Sequence, residues 1–116
     1  MLVSQEVSDV AFYLVKAEVT GKLEELKRKL DAGEIRTMRP FGTSLDYSLR
    51  EARVLADGTL TWEEEDYCSP PLAQEREAVL DHYFRDVQVK RVNEGEGWKE
   101  IEHLPRLWSG AARRRA

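Results

Sequence analysis

The spacing of apolar residues changes several times along the chain, and each change marks an element. Over residues 7–19 (VSDVAFYLVKAEV), Val10, Phe12 and Leu14 alternate with Ala11, Tyr13 and Val15, so both faces are apolar. That pattern predicts a strand covered on both sides. Leu23, Leu26 and Leu30 then recur at helical spacing, with Thr20 as an N-cap hydroxyl, Lys27, Arg28 and Lys29 near the negative end of the dipole, and Gly33 as a left-handed stop. A helix of about three turns is predicted there. Residues 36–44 (RTMRPFGTS) have no period and hold Pro40 and Gly42, so they read as a loop or a short irregular edge. The runs 45–56 and 59–68 look extended and are divided by Asp57-Gly58, which predicts a long antiparallel hairpin. Ser69 offers a cap for a second helix with Pro70 and Pro71 in its first turn and Leu72, Val79, Leu80, Tyr83 and Phe84 as its apolar stripe; a strand over 87–92 follows.

The order strand, helix, strand, strand, helix, strand resembles the split βαβ pattern of ferredoxin-like folds. The resemblance implies an α+β, βαββαβ sandwich with two helices on one face of a four-stranded antiparallel sheet, followed here by a C-terminal extension. No residue motif accompanies the order, so it implies architecture and no activity. Residues 1–108 are expected to form a single α+β domain and 109–116 a flexible basic tail. A chain of 116 residues buries roughly two-thirds of its unfolded surface and needs no staple. Its one cysteine, Cys68, excludes an intramolecular disulfide.

Charge and composition narrow the function classes. Eighteen Lys and Arg against 22 Asp and Glu give a net charge of −4, the wrong overall sign for neutralising a phosphate backbone, so nucleic acid is not expected as a partner. No stretch approaches the ~20 apolar residues of a membrane span, and residues 1–6 lack a secretory pattern. No membrane association and a cytoplasmic location are the resulting expectations. One Asn, three Gln and 34% charged residues fit a thermophile, an expectation that a melting midpoint checks.

Two helices on one face leave the other face of the sheet exposed, and candidate chemistry is sought there. In the third strand Leu60, Trp62, Glu64, Asp66 and Cys68 share one face and Thr61, Glu63, Glu65 and Tyr67 the other. Of the four consecutive acids 63–66, only Glu64 with Asp66, or Glu63 with Glu65, can converge on one ligand. A three-residue turn pairs Ala52 with Trp62 and Arg50 with Glu64, and a two-residue turn pairs Arg53 with Trp62; the first is favoured because it avoids opposing Glu51 and Glu64. Arg50, Arg53, Trp62, Glu64 and Asp66 are therefore the ligand-binding candidates. No catalytic residue is assigned, and no cofactor or metal is expected, since His82 and His103 stand at no ligand spacing with another His or Cys. Cys68, just before a helix N-terminus, is placed where the dipole lowers a thiol pKa. Arg36, Arg39 and Phe41 read as a solvated loop, and Gly95-Glu96-Gly97 lacks the third glycine of a dinucleotide loop.

Trp98, Ile101, Leu104, Leu107 and Trp108 follow the last strand and must be buried, either on their own domain or on a second copy. A homodimer is the expected partner arrangement, through this segment or the open sheet face. The function expected first is a non-catalytic binding or assembly module that self-associates and takes a small molecule or a protein partner. The alternative is a small dimeric α+β barrel-type enzyme or small-molecule-binding protein, with Trp62 as a pocket wall, Glu64 or Asp66 as the acid or base, and Arg50 or Arg53 as an anion clamp.

Overall fold

A computed structural model describes residues 10–108. The opening of the expected first strand, 7–9, and the expected tail, 109–116, lie outside the described residues. The elements are β1 (Ala11–Val19), α1 (Leu23–Asp31), α2 (Gly42–Arg50), β2 (Arg53–Val54), β3 (Leu60–Asp66), a helical stretch α3 over residues 73–83, β4 (Phe84–Val92) and α4 (Glu96–Ile101). In α3 a π-helical turn, Arg76–Leu80, interrupts the α-helix between Ala73–Glu75 and Asp81–Tyr83. The result is a mixed α+β fold with four helices and a four-stranded, open, antiparallel sheet in the order β2-β3-β1-β4 among the described residues.

Pairing follows from the alternation of β1. Val15 stands opposite Trp62 on one side and Val89 on the other, and Ala17 opposite Leu60. These residues face a core completed by Leu26 and Leu30 of α1, Leu45 and Leu49 of α2, and Val79, Leu80 and Tyr83 of α3. Helix α1 runs at the predicted leucines and turns off at Gly33, whose φ is +78°. Thr20 does not cap it. Its amide and hydroxyl both donate to the Tyr83 carbonyl, which ties the end of β1 to the end of α3.

Further expectations need correction. The stretch 45–56 is not an extended hairpin arm: helix α2 occupies Gly42–Arg50, and β2 is two residues long. The spacing Leu45, Leu49, Ala52 is helical, and all three are buried. The expected loop ends in the same helix, because Gly42 brings its Cα against the Ile35 and Arg36 carbonyls, where a Cβ would stand 2.7 Å from the Arg36 oxygen. The turn itself keeps the favoured register. Arg53 pairs with Thr61 and Val54 with Leu60, around Ala56, Asp57 and a left-handed Gly58. Beyond it a helix takes over from the strand, since Ser48 Oγ of α2 donates to the Glu63 carbonyl of β3 at 2.7 Å.

The remaining corrections concern the faces. Leu60, Trp62, Glu64 and Asp66 point at the core helices, and Thr61, Glu63 and Glu65 point to the opposite face, because the indole and Leu60 bury most apolar area against the helices. That opposite face is not free. Helix α4 lies over Leu14 and Glu63, with Gly97 close to both, and Ile101 is buried. The chain then runs beside β2: the Val54 amide donates to the Pro105 carbonyl and the Leu107 amide to the Ala52 carbonyl, both at 2.9 Å. No helix among the described residues is long and apolar enough to cross a membrane.

Candidate functional site

The five ligand-binding candidates divide into two places that do not meet. Trp62 is fully buried and packs against Phe84 with ring centroids 5.3 Å apart. Glu64 and Asp66 lie beyond it under the same helices. The arginines spend their donors elsewhere. Arg50 pairs with Asp46 at 3.0 Å and donates to the Leu30 carbonyl. Arg53 donates to the carbonyls of Glu102 and Leu104 at 2.7 and 2.8 Å, clamping the C-terminal segment.

Around Glu64 and Asp66 the fold assembles a buried acidic cluster. One carboxylate oxygen of Asp66 accepts the Leu72 amide at 2.7 Å, holding Leu72 at a left-handed φ of +62°, and the other has no partner. Glu75 enters from α3, one residue before the π-helical turn, a distortion frequent at functional sites. The Cys68 thiol donates to it at 3.8 Å. Asp66, Cys68 and Glu75 each offer a ligand atom within 4.8 Å of the others. Glu64 is 0% exposed and neither of its oxygens has a hydrogen-bond partner. Burial, added to by the charges of Glu75 and Asp66, pushes Glu64 well above the usual carboxylate range, against a smaller opposing pull from the nearby Ser48 hydroxyl and Trp62 indole. Glu75 is pushed up to about 7, first by burial and then by Asp66. The Cys68 thiol is also raised, by burial and the two acids, which overturns the expected lowering by a helix end.

The opposite sheet face carries a pocket of about 260 Å³ between α2 and α4. Phe12, Tyr47 and Trp98 supply aromatic walls, Ser44 and Ser48 hydroxyls, and Glu63, Glu65 and Glu94 carboxylates; no basic side chain lines it. Tyr47 is 59% exposed and meets Trp98 edge-on, centroids 6.0 Å apart. Glu65 is oriented by Ser44 at 3.2 Å and by the Tyr67 hydroxyl at 2.8 Å. Glu63 is committed to structure, accepting the amides of Gly95, Gly97 and Trp98 and so capping α4 from another strand.

Glu75 and Tyr47 escaped sequence reasoning. For Glu75 a signal existed, a carboxylate three residues after Leu72 and four before Val79, on the apolar stripe itself. For Tyr47 it did not, since its ring is placed by a helix read as a strand. The five self-association candidates pack on their own chain: Ile101 is buried, Trp98 and Leu107 pack against the core, Leu104 is half-buried, and Trp108 Nε1 donates to the Leu49 carbonyl at 2.8 Å. His82, His103, Arg36 and Arg39 are exposed, and Phe41 packs against the core. No protein-family model, curated protein or solved structure matches the chain.

Proposed function

We propose that the chain is a binding module whose pocket on the α4 side of the sheet holds an organic cation: an ammonium or guanidinium group, from a small molecule or from a Lys or Arg side chain of a protein partner. One observation carries this reading, the lining of three aromatic rings and three carboxylates with no basic residue among them. Ring faces attract a cation by their quadrupole, and a carboxylate beside them supplies the counter-charge. Glu65 and Glu94 remain for that role once Glu63 is committed to α4. A volume of about 260 Å³ is below that of drug-sized sites and suits a single side chain or small amine.

The strand order also supports a ferredoxin-like reading of the architecture. β3 lies between β1 and β2, and β1 between β3 and β4, so each helical crossover joins strands separated by one other. The chain departs from the simple form through α2, placed in the first crossover, and α4, placed on the second face.

Calorimetric titration of the full chain with an alkylamine, with arginine amide and with a Lys/Arg-containing peptide tests the function. The expected result is saturable binding of at least one, weakened by Tyr47→Ala or Glu65→Gln by roughly 0.5–2 kcal/mol, or about two- to thirtyfold. Equal binding of free amine and peptide points to the small molecule, and binding of the peptide alone to a protein partner. Absence of saturable binding by all three, or binding indifferent to both substitutions, overturns the proposal.

A further inference from the structure

On the core side of the sheet, away from the cation pocket, we infer a site for one divalent transition-metal ion such as Zn²⁺, with Asp66, Cys68 and Glu75 as ligands and the Glu64 carboxyl as a buried neighbour outside the ligand set. The first observation is geometric: one sulfur and two carboxylate oxygens from the end of β3, the following turn and the start of α3 lie within 4.8 Å of one another. A second observation is independent of that proximity. Glu64, on the same face of β3 two residues before Asp66, is fully buried with both oxygens unpartnered, and it lies in the field of Glu75 and Asp66. One oxygen of Asp66 is likewise unpartnered. Buried carboxyl oxygens left without a hydrogen-bond partner are costly, and among the described residues Glu64, Asp66 and Glu75 are joined by no cationic side chain, their hydrogen bonds being those of the Leu72 amide to Asp66 and of the Cys68 thiol to Glu75. A bound cation supplies what the side chains lack.

The donor set selects the ion. A thiolate with carboxylates suits a borderline ion that accepts sulfur and oxygen in a four-coordinate shell, as Zn²⁺ does, whereas Mg²⁺ and Ca²⁺ prefer all-oxygen shells of higher number. Coordination replaces the S–H bond of Cys68 with a sulfur–metal bond and releases the thiol proton to water. Sequence spacing gives no sign of the site, because Cys68 and Glu75 become neighbours only through the turn before α3.

Titration of the chelator-stripped full chain with Co²⁺ and Zn²⁺ tests the assignment. Co²⁺ is expected to bind one per chain with a thiolate-to-metal charge-transfer band, displaced by Zn²⁺. The band is expected to vanish in Cys68→Ser, and affinity to fall at least tenfold in Asp66→Asn and Glu75→Gln and less in Glu64→Gln, while Glu100→Gln binds as the parent does. Circular dichroism separates loss of binding from loss of fold. Should the variants not fold, the unaltered chain still decides: Zn²⁺ is expected to slow alkylation of Cys68 at least tenfold. A parent chain without the band, a band that survives Cys68→Ser, or an alkylation rate unmoved by Zn²⁺ overturns the site.

Discussion

Glu63 and Glu64 are neighbours in the chain and occupy opposite environments. Glu63 accepts three backbone amides at the start of α4 and pairs its charge with the open end of that helix. Glu64 points the other way, under the helices, with no donor. The period of two along a strand suffices to separate them. Removing the Glu63 carboxylate orphans several amides at once, so Glu63→Ala is expected to cost roughly 1–3 kcal/mol, read as a lowered urea midpoint. Gly97→Ala makes an independent check, because its Cβ would stand 2.9 Å from the same carboxylate oxygen. It is expected to destabilise in the same direction, and a midpoint unchanged in both variants would show that α4 does not depend on this cap.

At the scale of elements, strong periodicity was readable wherever one competing pattern was absent. α1 carries three leucines on one stripe and a glycine at its end, and the strands β1, β3 and β4 carry β-branched and aromatic alternation, so these four stood out. α2 did not, because Gly42, Thr43, Ser44 and Ser48 are weak helix formers and its leucines were read together with Ala52 and Val54 as an extended run. Tertiary contacts decide it: Leu45 and Leu49 fill the core, and Ser48 bonds to β3. The same blindness hid the pocket, since the Tyr47 ring reaches Trp98 only from a helix. Gly42 is the residue that fits α2 against the preceding turn. Gly42→Ala is expected to cost about 1–3 kcal/mol by overpacking despite the better helix propensity of alanine, measurable as a lower melting midpoint. A gain in stability would mean that the turn at 35–36 yields freely.

At the scale of the whole molecule, the sheet is covered on one side by three helices and on the other by α4 and the returning C-terminal segment, and the acids of β3 are distributed between the two sides. The buried group makes stability fall with rising pH in the chelator-treated chain. Unfolded, Glu64 and Glu75 lose their protons near 4.5; folded, Glu75 keeps its proton up to about 7 and Glu64 is raised well above 4.5, each chiefly by burial. Between those values the folded chain holds more protons than the unfolded one. Each pH unit therefore removes up to ~1.4 kcal/mol per group. The contribution of both is fully present below pH 4.5; that of Glu75 is lost as pH climbs through about 7, and that of Glu64 as pH climbs through its own raised value. Asp31 and Asp57, held low by Lys27 and by Thr59 respectively, act in the opposite sense but at the exposed surface, where such effects are small. Urea midpoints with chelator are accordingly expected to be higher at pH 5 than at pH 8, and the difference to shrink in Glu64→Gln with Glu75→Gln. A midpoint that rises over that interval would mean that the two acids are ionised in the fold and stabilised by a partner of positive charge.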